Sequence, residues 1–248
     1  MNIKKIISIL IIILIFGAGG VAVYFYRDSI SKNKPADDNQ KTDISIEDKK
    51  ITDNTKPFTI EITYPSVAGL DDFNKKGEDL VNNELFEFKK NSTANDVAVK
   101  EIDPESYAEF PREYYLSINY DKGLVNENTI SVVFNISNFT GGAHGANYFS
   151  ALNYDIKNKK EIKLAGLFSG QTDYLQKIST YCIDDLTKQM TTSGAIDMSN
   201  TLWLDEGAGP KEENFSVFLI NQDGITFYFP QYQVAAYAAG DFKVTMPR

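Results

Sequence analysis

Residues 6–26 form a run of 21 positions without a charged side chain, preceded by Lys4 and Lys5 and followed by Arg27 and Asp28. No other feature of the chain constrains its folding so strongly. At about 1.5 Å rise per residue, a helix of that length matches a hydrocarbon core of ~30 Å. The more apolar part, residues 6–16, also has the length of a signal-peptide core, and Gly20-Val21-Ala22 could serve as a small-residue cleavage site. An uncleaved anchor is the expectation, with signal cleavage as the alternative. The lysines favour a cytoplasmic N-terminal end, residues 1–5, and export of the remainder. A membrane-anchored chain with a soluble domain outside the cytoplasm follows. No cysteine stands at the end of the run to carry a lipid.

Residues 27–56 are rich in Lys, Asp, Asn, Ser and Thr and contain no aromatic side chain, so they read as a flexible linker. Residues 57–248 are long enough for one domain or two small subdomains sharing a core. They carry 27 acidic and 16 basic side chains, a net charge of −11. Such a surface repels nucleic acid and favours encounter with a basic partner, although acidity also serves solubility alone. Cys182 is the sole cysteine. No intrachain disulfide can form, and stability must come from the core.

Residues 58–64 alternate apolar and polar side chains and end at Pro65, as a half-buried strand would. From Asp71 or Asp72, Phe73, Gly77, Leu80, Val81, Leu85 and Phe88 recur at helical spacing, and residues 91–111 then read as irregular. Strands are expected over 114–120, 129–136 and 148–156, separated by turns at Asp121-Lys122-Gly123 and Thr140-Gly141-Gly142. This is a meander pattern. A second helix over 172–190 places Leu175, Ile178, Cys182, Leu186 and Met190 on one side, and the two helices would frame the first sheet. Residues 215–220 and 225–229 flank Asn221-Gln222-Asp223-Gly224, a hairpin whose glycine would supply a positive φ. A final strand spans 242–246. The order argues for an α+β fold, with antiparallel sheets and two amphipathic helices, rather than βαβ units.

Three motifs in order, Asn138-Phe139-Thr140-Gly141-Gly142-Ala143-His144-Gly145, Ile162-Lys163-Leu164-Ala165-Gly166-Leu167-Phe168 and Phe229-Pro230-Gln231-Tyr232-Gln233-Val234-Ala235-Ala236-Tyr237-Ala238-Ala239-Gly240, resemble a bacterial envelope family. Its paired domains of unknown function, DUF4163 and DUF3298, occur in a lysozyme-sensing anti-sigma factor and ahead of a peptidoglycan deacetylase catalytic domain. The resemblance covers nearly all of residues 57–248 and implies a DUF4163-like subdomain over 57–160 and a DUF3298-like one over 161–248. Only five residues precede the apolar run and the chain ends at Arg248, so neither a sigma-factor-holding segment nor a catalytic domain is expected.

His144 is the only histidine, whereas a zinc site commonly uses two at fixed spacing. No G-x-S-x-G pattern marks a serine nucleophile, and nothing in the sequence pairs Cys182 with His144. No metal, cofactor or catalytic residue is expected. His144 therefore reads either as a loop residue bonded to local carbonyls or as a partner contact. Trp203 with Asp205 and Glu206 suggests an exposed binding loop, a solvated connector or, less simply, the paired carboxylates of a glycosidase. Tyr232 and Tyr237, set among alanines and Gly240, can leave rings exposed to a glycan or a protein. The candidate contact residues are thus His144, Trp203, Asp205, Glu206, Tyr232 and Tyr237. Three functions stay open: a binding or sensing module for a lysozyme-like protein or peptidoglycan, an accessory envelope domain, or an enzyme on wall sugars.

Overall fold

The computed structural model describes residues 44–193 and 201–247. The expected apolar span lies outside them. Among the described residues no helix is long and apolar enough to cross a membrane.

The fold is α+β, built on two sheets. The first has six strands in sequence order: β1 (Ile46–Asp53), β2 (Phe58–Val67), β3 (Tyr114–Val125), β4 (Thr129–Phe139), β5 (Ala146–Asp155) and β6 (Lys160–Glu161). All neighbours are antiparallel except β2 and β3, which run parallel. A parallel pair requires a crossover, supplied here by helix α1 (Asp71–Ile102) and the short helix α2 (Pro104–Glu109). The meander expected over β3, β4 and β5 is present, whereas the expectation of a fold without βαβ units is corrected, because one such unit, β2–α1–β3, opens the sheet. The second sheet joins β7 (Phe218–Ile220), β8 (Gly224–Phe229) and β9 (Phe242–Pro247), all antiparallel.

Each sheet has its own core. Ile60, Ile62, Leu116, Ile118, Val132, Phe134 and Ile136 alternate along β2, β3 and β4 and pack against Phe73, Val81 and Phe88 of α1. Helix α4 (Tyr174–Ser193) buries Ile178, Cys182, Leu186 and Met190 on Phe227, Phe229 and Val244. It therefore covers the second sheet, and the expectation that both helices frame the first is corrected. Helix α3 (Leu164–Leu167) adds Leu164 to this second core.

Strand β1 falls inside residues 27–56, the expected linker, and corrects it over 46–53. Ile46 and Ile51 pack on the first core while Glu47, Lys49 and Lys50 point to solvent. A charged edge strand with so few apolar anchors resembles a linker in composition. Pro65 does not stop β2, since it pairs with Asp48 of β1 where β3 has already left the other side.

Residues 91–102 continue α1 instead of forming an irregular segment. Its inward stripe turns polar there, with Ser92 bonded to the Phe88 carbonyl and buried Asp96 held by Tyr107 and Lys100. Neither Asp71 nor Asp72 caps the helix through its side chain. Both lie in its first turn, where the dipole favours anions.

The expected turn at 121–123 is strand. Asp121 and Lys122 pair with Val133 and Val132, and the chain reverses at Asn126, whose side chain accepts from the backbones of Asn128 and Thr129. Gly123 is needed because β7 passes close by, and a Cβ there would lie 2.3 Å from the Ile220 carbonyl. Gly224 likewise answers to close packing, since a Cβ there would lie 2.5 Å from the Met246 carbonyl, and it does not adopt the positive φ expected of it.

The sheets meet where β7 crosses the face of β4 and β5 opposite α1. Val133, Leu219 and Tyr228 form a small buried cluster with Phe149 and Ala151 at its rim. The Asn153 amide donates to the Phe218 carbonyl at 2.9 Å, and Ser131 accepts the Ile220 N–H at 2.7 Å while donating to Asn153. At the margin Asp121 accepts from Tyr228 at 2.8 Å and from Lys243 at 2.9 Å. This pairing outweighs burial and keeps the Asp121 carboxyl below the ordinary range.

Asn153→Leu would leave the Phe218 carbonyl without its donor and the Ser131 hydroxyl proton without its acceptor at about 1–3 kcal/mol, and Gly123→Ala would force β7 outward at a similar ~1–3 kcal/mol. Both should lower the denaturation midpoint, and unchanged midpoints would mean that the contact does not hold the sheets together. A chain beginning at residue 57 should melt below one beginning at residue 44, because it lacks the β1 pairing and the Ile46 and Ile51 contacts.

Candidate functional site

Two loops from opposite halves of the chain meet beside the contact between the sheets. The first, residues 140–145, joins β4 to β5. It bends at Gly141 and Gly142, with φ of 111° and 99°, conformations that a side chain would disfavour. Gly141 also lies against Asn95 of α1, where a Cβ would come within 2.3 Å of the Asn95 side chain. Asn95 in turn accepts the Tyr114 hydroxyl at 3.0 Å. The loop is thereby tied to the helix, with His144 exposed near its end.

The second loop, residues 230–241, joins β8 to β9 and contains a turn of 3-10 helix at Tyr237–Ala239. Tyr232 has φ 69° and is 53% exposed. A left-handed residue with a side chain costs about 1–2 kcal/mol, so the surrounding contacts hold this ring outward against a local preference. Gln233 supplies part of that hold by donating to the Gly207 and Asn214 carbonyls at 2.8 and 3.0 Å.

The loops converge on the Gly145 carbonyl, which accepts from His144 Nδ1 at 2.9 Å and from the Tyr237 hydroxyl at 3.1 Å. The His144 and Tyr237 rings stack with centroids 3.9 Å apart and 27° between planes. Tyr232 adds a third ring, 5.6 Å from Tyr237, with its hydroxyl 3.5 Å from His144 Nε2. On the other side of Gly145 stands Tyr115, whose hydroxyl would be 2.5 Å from an added Cβ. The Gln231 side chain accepts the Asn147 N–H at 3.3 Å and fastens the second loop to β5.

With its Nδ1 proton on a carbonyl, a neutral His144 offers Nε2 as an acceptor. No serine or cysteine is among its hydrogen-bond partners. Cys182 is fully buried in the second core, and that burial pushes its thiol up to about 12. Among the described residues no group of three His, Cys, Asp or Glu side chains could hold a metal ion. What remains is a partly exposed platform of stacked rings edged by hydroxyl and imidazole groups. Such a surface can pack on the C–H faces of a sugar ring and bond its hydroxyls, or receive a protein side chain.

Trp203, Asp205 and Glu206 are placed differently. They lie on a short helix, α5 (Thr201–Gly207), which corrects the loop expected there. Leu204 and Ala208 are buried beneath it, while Trp203, Asp205 and Glu206 face outward. Among the described residues none of these three side chains contacts the ring cluster. Gly207 at the end of this helix admits the second loop, with a Cβ there only 1.8 Å from the Gln233 carbonyl. Sequence reasoning also missed Tyr115, Asn147 and Gln231. The polar alternation of β3 to β5 was their signal, but only the strand register brings them beside His144.

The family model described as Deacetylase PdaC matches residues 51–147, and that described as Protein of unknown function (DUF3298) matches residues 165–248. The peptidoglycan-N-acetylmuramic acid deacetylase PdaC of Bacillus subtilis is 27% identical, over 99% of this chain and 50% of its own. Immunogenic protein MPT64 of Mycobacterium tuberculosis is 27% identical over 143 residues, 56% of this chain and 59% of its own. The chain thus spans about half the length of the curated relatives it matches. A crystal structure of a DUF3298 family member from Bacteroides fragilis has a TM-score of 0.58 and 22% identity, covering 84% of this chain and 92% of that one. That likeness is one of fold. The first match falls on the six-stranded sheet with α1, and the second on the three-stranded sheet with α4. The chain thus carries a PdaC deacetylase-related region followed by a DUF3298 region.

Proposed function

We propose that this protein is a membrane-tethered, extracytoplasmic binding module of the bacterial cell envelope, and that peptidoglycan glycan is received at the ring cluster. The observation that carries the reading is the convergence of His144 and Tyr237 on the Gly145 carbonyl, with the Tyr232 hydroxyl beside His144 Nε2, from loops nearly ninety residues apart. Ordinary packing would bury these rings, yet His144 and Tyr232 are exposed. The deacetylase named among the relatives acts on peptidoglycan, which supports a wall ligand. The uncharged run at 6–26 supports the tether.

A second reading, a basic lysozyme-like protein as partner, is favoured by the charge of −11 over residues 57–248. The two separate by salt. Electrostatic encounter weakens as the Debye length falls from about 10 Å at 0.1 M to about 3 Å at 1 M, whereas stacking on an uncharged sugar persists.

Co-sedimentation of the full chain with purified sacculi should show binding that Tyr237→Ala weakens about tenfold, the scale of a lost aromatic anchor. Asp205→Asn with Glu206→Gln should leave that binding unchanged. Salt-sensitive binding to lysozyme, reduced by the acidic pair and indifferent to Tyr237→Ala, would favour the second reading. No binding to either would leave an accessory domain. Turnover of acetylated peptidoglycan, with or without zinc, that His144→Ala abolishes would make the protein an enzyme.

The tether has its own test. The full chain should stay with membranes through carbonate washing, whereas release with a new N-terminus near Val23 would indicate a cleaved signal.

A further inference from the structure

The face of the first sheet that meets β7 extends well beyond that contact. Strand alternation and the pairing registers define what lies on it. Asn147 of β5 pairs with Ser137 of β4, Ser137 with Ser117 of β3, Ser117 with Glu61 of β2, and Glu61 with Thr52 of β1. These residues form one row across five strands. With neighbouring strands about 4.8 Å apart, the row is roughly 19 Å long. One flank is Asn119 and Asn135, joined by a 2.9 Å hydrogen bond, and the other is Tyr115 and Phe139, stacked at 6.3 Å and 25°. All of these residues are exposed or half-buried, and only Phe139 among them also packs against the first core.

The composition of this face is unusual for a surface awaiting a protein. A protein interface is built around an apolar centre, whereas this row offers hydroxyls and amides beside aromatic rings. It is also close to neutral in a strongly acidic chain. Lys50 and Glu61 offset each other, and Asp121 is paired with Lys243 at the border. Uncharged donors and acceptors next to an aromatic wall match a polyhydroxylated, uncharged ligand.

The row also starts at the ring cluster. Asn147 is fastened to the second loop through Gln231, and Tyr115 touches Gly145, the residue that anchors His144 and Tyr237. We infer that the ring cluster and this row form one continuous track for a linear β-linked oligosaccharide. One sugar stacks at His144, Tyr232 and Tyr237, and the following units lie across Ser137 and Ser117 toward β1. The inference rests on the glycan reading above and extends it from one sugar to a chain of several.

The test uses the full chain in detergent micelles, titrated calorimetrically with β-1,4-linked N-acetylglucosamine dimer, tetramer and hexamer. Affinity should rise about tenfold or more from dimer to hexamer. Ser117→Val with Ser137→Val suits strand propensity while removing the central hydroxyls. This double variant should lose most of the gain in affinity from dimer to hexamer, whereas Tyr237→Ala should weaken all three oligomers. Equal affinity for all lengths in the unsubstituted chain would overturn the track and leave the ring cluster as a single-sugar site. A length dependence that survives in the double variant would place the further sugars elsewhere and overturn the row. Failure of every oligomer to bind would overturn the inference together with the glycan reading beneath it.

Discussion

The arrangement of the molecule depends on how one backbone edge is satisfied. Strand β7 closes the second sheet, so its outer N–H and C=O groups have no strand to pair with. Buried away from water, each would cost about 1–3 kcal/mol. The Phe218 carbonyl and the Ile220 N–H instead find Asn153 and Ser131, which project from strands of the other sheet. An open edge thereby becomes a join between two cores, and the three-residue length of β7 suits a strand held by side chains as much as by its neighbour. Gly123 completes the fit by letting the Ile220 carbonyl approach β3.

The ring cluster is a consequence of that join. His144 and Gly145 belong to the first half and Tyr232 and Tyr237 to the second, so the stacking exists only while the two sheets keep one relative position. Side chains that bond a particular carbonyl and a particular N–H set that position more narrowly than apolar contact, which tolerates sliding. The Asp121, Tyr228 and Lys243 group adds a charged latch at the margin, with the Lys243 ammonium 4.6 Å from the Tyr228 ring centre. Rings displayed by flexible loops would lose entropy on meeting a ligand, whereas these are already held in place.

Legibility in the sequence followed periodicity. Alternation along residues 58–64 and 129–136 and the 3.6-residue stripe through Ile178, Cys182, Leu186 and Met190 were readable because one face of each is buried in a single core. Periodicity failed where tertiary partners changed the rule. Asp96 looks like a helix breaker until Tyr107 and Lys100 are placed beside it, and β1 looks like a linker until β2 supplies its pairing. The glycines misled for a related reason. Gly123 and Gly224 read as turn residues, whereas each makes room for a backbone from another strand. The candidate site was half legible: His144, Tyr232 and Tyr237 stood out as rings among small residues, but their meeting at Gly145 depends on the join between sheets.

The open face of the first sheet fits the same logic. Sheet residues facing solvent are usually charged when solubility is their only task, and this chain has acidic residues in excess. Along the open face of β3, β4 and β5 the exposed and half-buried positions are instead mostly serine, asparagine and aromatic residues, with Asp121 paired to Lys243 at the border. Asn119 and Asn135 bond to each other and so present a fixed pair of amides to solvent. A mutually bonded amide pair still has a free N–H and free lone pairs, and holding it in one orientation lowers the entropy lost when a ligand bonds to it. A rigid, uncharged polar surface that begins at a set of stacked rings is thus organised for a long ligand before any ligand arrives.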